Sequence, residues 1–419
     1  MVAFAPPDSA FTRWRWRVFA ATWLCYAGFY FCRKPFSIAK SALGEAFDLG
    51  PFALGALYAA YLTAYTIGQF LAGAIAPRFG PRKVLLSAMA VSVSVSVLFA
   101  VVETFEAFMA LMVVNGLAQA MGWSSCVGNM ASWYARAERG TAMGLWSTNF
   151  QIGGIAANAL AAAMLVHGHR WAFLAGAMVL CAVWVFFAFN QADRPEDRGF
   201  PPVEPVPSVG SSEVAGRWPR AVWVTVLLIG GAYFGLKFIR YAIWSWAPFV
   251  LERDFGLRGD EAGYLATLFD VGGFLGVIVT GWLSDRCFGG KRARVAFWMI
   301  VGCVAATAFL MTAGAASVPA FALGLGLVGL TLYGPDALLT GAGAQDLGRH
   351  GGATRAAAVI SGLGSAGSVL QEFVIGRMHS AGGGGELGPI LATLVAAAIL
   401  ALTCTGVILW RNARGMSDV

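Results

Sequence analysis

The sequence predicts an all-α membrane protein with twelve transmembrane helices, arranged as two six-helix bundles related by pseudo-two-fold symmetry. Three observations carry this expectation. The chain is 58% hydrophobic and only 12% charged, where a soluble domain carries roughly 25% charge. Its apolar runs reach the roughly 20 residues that a bilayer requires of a helix. A pattern in the first half also returns in the second.

The apolar runs fall at 14–38, 53–76, 84–102, 107–133, 141–166 and 171–190, then at 219–250, 261–284, 295–314, 318–342, 354–379 and 388–410. Glycine is abundant, with 53 residues, as suits spanning helices that approach through small side chains. Between the two sets lies the one long polar stretch, 191–218, rich in proline and of mixed charge. It reads as a linker between a bundle at 1–190 and a bundle at 219–419.

Basic residues set the orientation. With both termini cytoplasmic, 20 of the 29 Lys and Arg fall in inner segments, five in outer ones (Lys40, Arg170, Arg253, Arg258, Arg377) and four within helices. Cytoplasmic loops carry such an excess. The net charge of +7 is therefore a signal of topology, and nucleic acid is not an expected partner. The chain starts with a polar segment that has no small-residue cleavage site, so a removed signal peptide is not expected. The seven cysteines are scattered without a CxxC, and His167 and His169 stand outside any HExxH pattern. Neither a metal site nor a cofactor is expected. No GxxxxGK[ST] loop is present to cradle ATP.

The halves repeat. IGQFLAGAIAPRFG (67–80) overlays LGVIVTGWLSDRCF (275–288), bringing Gly68 onto Gly276, Gly73 onto Gly281 and Arg78 onto Arg286 at an offset of 208. Arg33 meets Arg240 at 207. Parallel repeats of this kind mark the major facilitator architecture, whose site lies near mid-membrane at the repeat interface. A charge at bilayer depth costs about 2.5–3.5 kcal/mol on insertion scales and is normally functional. Arginine cannot shed its proton, and its planar fork matches the oxygens of a phosphate or carboxylate. Two arginines matched by internal symmetry point to one bound anion. In the second loop, Asp285 and Arg286 are candidates for a charge pair that forms and releases as the carrier works; in the first, Pro77 stands where the acid would fall.

Four stretches, RKPFSIAKSAL (33–43), NGLAQAMGWSSCVGNMASWYARAERGTAMGLW (115–146), GYLATLFDVGGFLG (263–276) and YGPDALLTGAGAQDLG (333–348), resemble the organophosphate:phosphate antiporter family of the major facilitator superfamily. The first and third resemble in particular the sugar-phosphate exchangers of the animal endoplasmic reticulum. The resemblance covers nearly the whole chain. It implies that Arg33 falls on the substrate-phosphate arginine of the first helix and Arg240 on its partner in the seventh. Lys237 falls where the reticulum exchangers carry a lysine, and Asp270 on a retained acid of the eighth helix. Gln69 and Phe150 depart from the pattern, standing where relatives carry a lysine and a histidine.

Around these residues the helical repeat supplies further candidates. Tyr26 and Tyr30 share a stripe with Arg33. Lys237 and Arg240, three apart, share a face. Lys34 points about 100° away from Arg33. Gln119, Trp123, Tyr241 and Gln371 are further binding candidates. Asp270, Asp336 and Glu372 are the acids expected to balance charge, the last two by pairing with Lys237 or Arg240 or by bonding between helices. The expected function is exchange of an organic phosphate, such as glucose 6-phosphate or glycerol 3-phosphate, for inorganic phosphate. Two alternatives stand beside it: a membrane sensor of hexose phosphate and a proton-coupled carrier of another organic anion. The protein is expected to be a monomer of the cell (inner) membrane that catalyses no chemical reaction. With both termini inside, a cysteine label at Ser211 reacts only from the cytoplasm and one at Asp260 only from outside; labelling of Ser211 from outside would overturn the six-plus-six arrangement.

Overall fold

Every regular element among the described residues of the computed structural model is helical. The structure describes residues 9–134, 142–143, 145–203, 220–286, 292–338, 353–381 and 387–415. In order, the helices are α1 (Ser9–Phe31), α2 (Lys34–Ile38), α3 (Lys40–Phe47), α4 (Pro51–Phe79), α5 (Pro81–Phe99), α6 (Phe105–Trp133), α7 (Asn149–Leu165) and α8 (His169–Asn190). They continue with α9 (Arg220–Arg253), α10 (Gly259–Arg286), α11 (Arg292–Met311), α12 (Val318–Ala337), α13 (Ala353–Ala381) and α14 (Leu387–Ala413). In hydrocarbon the backbone must satisfy its own N–H and C=O groups, and a helix does so within one segment.

Nine helices among the described residues are long and apolar enough to span a membrane: α5, α6 and α8 to α14. In the other three expected runs most of the described residues are helical too. Arg13, Arg15 and Arg17 open α1, tyrosines 58, 61 and 65 with Gln69 dilute the apolar character of α4, and α7 has only 17 residues. The structure corrects one boundary. The run 14–38 is not one helix but breaks at Cys32–Arg33, because Pro35 has no N–H to offer the carbonyl of Phe31. Gly176 of α8 packs against that carbonyl so closely that a Cβ there would lie 1.9 Å from it.

The chain divides into two compact units, Met1–Ala39 with Thr63–Ser211, and Lys40–Leu62 with Ser212–Val419. In the first, α1 packs on α6, α7 and α8, and α5 on α6 and α8. The start of the expected linker is fixed to this unit. Asp193 Oδ1 accepts from the N–H of Arg82 (2.6 Å), and Asn129 donates to the carbonyls of Ala192 and Asp193. Trp133 Nε1 donates to Ala192 as well. Gly80, at φ 83°, makes the turn into α5, and a Cβ there would meet Asp193 Oδ2 at 2.6 Å. Burial pushes the Asp193 carboxyl above its ordinary pKa, while the Arg82 N–H opposes the shift.

In the second unit α10 and α12 meet along a glycine seam. A Cβ at Gly272 would lie 2.1 Å from the carbonyl of Gly326, one at Gly276 2.2 Å from that of Leu330, and one at Gly329 2.1 Å from that of Phe269. Small residues of this kind bring membrane helices into backbone contact. Gly235 seats α9 against Ala397 of α14 in the same way, and Gly367 of α13 seats against Phe234 of α9.

These contacts predict a contrast. Gly176→Val forces bulk onto a backbone carbonyl and should destabilise by at least the ~1–3 kcal/mol of overpacking. Gly128→Ala, where a Cβ meets nothing within 4 Å, should leave the thermal midpoint in detergent unchanged or slightly raised, since Ala favours the helix by about 1 kcal/mol.

Candidate functional site

Each unit buries one arginine in an aromatic cage. In the first, Arg33 is 4% exposed and caps α2, just past the break in α1. Its Nε donates to Gln119 Oε1 at 3.0 Å, and its guanidinium lies 4.8 Å from the Tyr30 ring centroid and 5.0 Å from that of Tyr65. Gln119 donates in turn to Asn115 Oδ1 (3.1 Å), and Asn115 to the carbonyl of Cys32 (3.2 Å), in the break itself. The break in the helix thus presents the Cys32 carbonyl that anchors the arginine's support.

The stripe expected on α1 is present. Tyr26 and Tyr30 meet edge to face at 6.0 Å, and Tyr26 also meets Trp123 at 5.4 Å and Trp146 at 5.7 Å. Asn115, Gln119 and Trp123 recur every fourth residue on α6, so one face of α6 meets one face of α1. Trp123 remains 37% exposed, whereas Lys34, the first residue of α2, is buried. Gln69 and Phe150 are half-buried.

In the second unit Arg240 is 8% exposed and forms an ion pair with Asp336, Nη1 to Oδ2 at 2.5 Å. Its guanidinium lies 5.3 Å from the Trp244 ring, 5.4 Å from Tyr241 and 5.9 Å from Tyr333. Asp270 accepts from two of those rings, Trp244 Nε1 at 2.7 Å and Tyr333 Oη at 2.8 Å. It therefore holds the cage walls around the cation. Lys237 donates to Ser365 Oγ (3.1 Å) and lies over Tyr233 at 4.9 Å. Lys237 and Arg240 share a face of α9 but engage different helices, α13 and α12.

Glu372 departs from expectation: its ion pair is with Lys40, 3.4 Å away, not with Lys237 or Arg240. Gln371 is placed with it, donating to Glu372 Oε1 at 2.7 Å. Lys40, counted with the outer segments by charge, is fully buried. Asp285 and Arg286 close α10, but their side chains lie outside the described residues.

Several residues around these buried charges were not singled out as site residues in sequence: Tyr65, Asn115, Trp244, Tyr333, Ser365 and Lys40. The helical repeat marks three of them, since Asn115 is four before Gln119, Trp244 four after Arg240 and Tyr333 three before Asp336. Tyr65 and Ser365 reach their sites from other helices, and nothing local announces them.

Chemically, both sites present a permanent cation in a low-dielectric aromatic surround. Cation–π contacts of this kind are worth about 0.5–2 kcal/mol and leave the guanidinium edge to hydrogen-bond an oxyanion. Buried cations of this kind on an all-helical membrane fold are suited to holding an anion. The fold matches solved transporters: a bacterial homologue of the human lysosomal transporter Spinster superposes with a TM-score of 0.71 at 16% identity, covering 94% of this chain and 96% of that one. A sequence model of the Major Facilitator Superfamily matches residues 22–371.

The glycerol-3-phosphate transporter of Bacillus subtilis is 28% identical, covering 94% of both chains. The membrane sensor protein UhpC of Escherichia coli is 26% identical over 81% of this chain and 80% of its own. Sugar phosphate exchanger 3 of Bos taurus is 26% identical over 88% of each. The chain therefore belongs to the major facilitator superfamily and, within it, to the organophosphate:phosphate antiporter family. It is a multi-pass membrane protein.

The ion pairs differ in what they hold. Asp336→Ala leaves Arg240 charged and buried without its carboxylate and should cost about 3–5 kcal/mol. Glu103→Ala removes the partner of Arg170 in a pair whose side chains are 76% and 55% exposed, and should cost less than about 1 kcal/mol. Thermal unfolding of the two variants in detergent, side by side, measures the difference.

Proposed function

We propose that this protein is a secondary transporter that exchanges an organic phosphate, a sugar phosphate, for inorganic phosphate by alternating access. The observation that carries the reading is the pair of caged, buried arginines, Arg33 and Arg240, at matching places in the two halves of the sequence. A phosphate dianion offers each guanidinium the bidentate contact that a planar fork favours. Tyr26, Tyr30 and Gln119 lie beside Arg33, with Trp123 against Tyr26, and Lys237 and Tyr241 lie beside Arg240, as donors and ring faces for the rest of the substrate. Lys34 and Gln371 are further contacts. In this proposal the carrier comprises bundles 1–190 and 219–419, acts as a monomer in the inner membrane with both termini cytoplasmic, and breaks no covalent bond.

Charge balance accounts for exchange. Without substrate, Asp336 neutralises Arg240 and Asp270 steadies the rings around it. An incoming phosphate competes with Asp336 for the guanidinium, and the cycle returns only when another anion, or Asp336 itself, restores the balance. Asp285 and Arg286 form and release a charge pair as the carrier changes state. The similarity to a sensor protein favours a second reading, recognition of hexose phosphate coupled to signalling. Uptake of phosphorylated sugars into proteoliposomes loaded with phosphate separates the two, since a sensor that does not exchange gives no counterflow.

Two variants test the site. Arg33→Lys and Arg240→Lys keep the charge and lose the fork. Truncating one partner of a desolvated charge contact costs about 2–5 kcal/mol, so each should weaken phosphate-driven exchange by roughly 30-fold or more while the protein still folds in the membrane. Normal exchange in both, and in Lys237→Ala, would falsify the reading. Asp270→Asn should impair exchange more than it impairs phosphate binding; exchange equal to wild type in the variant removes the acid from the cycle.

A further inference from the structure

The segment Lys40–Leu62 leaves the first unit at Ala39, packs as part of the second, and returns to the first at Thr63. Its docking is built from three kinds of contact. Glycine lets backbone meet backbone: a Cβ at Gly55 would lie 2.6 Å from the carbonyl of Glu372, and one at Gly376 3.1 Å from that of Pro51. The N–H of Phe52 donates to Ser380 Oγ at 3.0 Å, and the Phe52 and Phe373 rings lie 6.2 Å apart. Between these lies charge. Lys40 pairs with Glu372 at 3.4 Å with both side chains fully buried, donates to Ser245 Oγ, and sits 3.6 Å from the Trp246 ring centroid.

The charged part of this interface is not optimised for permanence. Two deeply buried polar atoms beside it, Trp246 Nε1 and Gln371 Oε1, have no hydrogen-bond partner among the described residues. A buried donor or acceptor left unsatisfied costs the desolvation of that group, and a partly satisfied polar network is less stable than an apolar core of the same shape. Water admitted to the interface would satisfy both atoms and solvate both ions. Each unsatisfied atom narrows the gap between the docked and undocked states, which is the direction a two-state element requires.

We propose that Lys40, Glu372 and Ser245 form a latch that holds the strap Lys40–Leu62 on α9 and α13, and that the transport cycle breaks and remakes it. The requirement for breakage rests on the carrier reading above; the latch itself rests on the contacts. Glu372→Gln leaves the lysine with a neutral partner and releases the strap. Lys40→Met with Glu372→Met removes both charges and keeps the strap docked without a charge to undo.

The test uses full-length protein in proteoliposomes, with its native cysteines replaced. Ala59→Cys places a thiol one turn beyond Gly55 at a site 1% exposed. Maleimide should modify it at least 10-fold faster when combined with Glu372→Gln, and slowly again in the Lys40→Met/Glu372→Met background. Equal rates in all three backgrounds overturn the latch. In a second arm, Phe52→Cys with Phe373→Cys is oxidised to tie the strap down. Exchange of inorganic phosphate should fall at least 10-fold and return with dithiothreitol; undiminished exchange by the tied protein means the strap need not move, and overturns its part in the cycle. A carrier that exchanges no phosphate in any form yet keeps the maleimide contrast overturns the proposed substrate and supports the latch.

Discussion

A guanidinium keeps its charge at every pH a cell reaches, so a chain that buries one must answer it with structure. The surroundings of Arg240 are that answer. One carboxylate meets it directly, three rings face it, and a second carboxylate fixes two of those rings by their polar edges. Arg33 is answered differently, by an amide and two tyrosine rings, without a carboxylate in the contacts described above. The contacts described for the two cations thus differ, a carboxylate at Arg240 and an amide at Arg33.

The break in the first helix belongs to the same logic. Pro35 removes a hydrogen bond from α1, and the chain recovers something from the loss: Arg33 stands at a helix start, and the Cys32 carbonyl accepts from Asn115. A straight helix through this region would have spent that carbonyl on its own backbone. Breaks of this kind in membrane helices persist where they are buried in protein or line a cavity.

Much of this was legible in the sequence, for identifiable reasons. Membrane helices announce themselves through length and apolarity, and the repeat through glycine and arginine at one offset. The Tyr26–Tyr30–Arg33 stripe follows from helical spacing, while the scarcity of charge in the spans marked Asp336 as a partner for Lys237 or Arg240 without choosing between them. Pairings between helices were less accessible. Glu372 lies in the same membrane-spanning half as Arg240, yet its partner is Lys40, more than 300 residues away in sequence. Charge counting placed that lysine at a loop, because a single basic residue just past an apolar run looks the same whether it meets water or a carboxylate. The break at Cys32–Arg33 was readable from Pro35, but apolarity alone ran the helix through it.

The glycine seam between α10 and α12 also limits how the second unit can deform. Side chains in a core can change rotamer and let their helices slide, whereas two backbones in contact have nothing between them to rearrange. These helices therefore behave as one stiff keel. Asp270 stands on one of these helices and Asp336 on the other, so the two acids around the Arg240 cage are carried by a single backbone-packed pair.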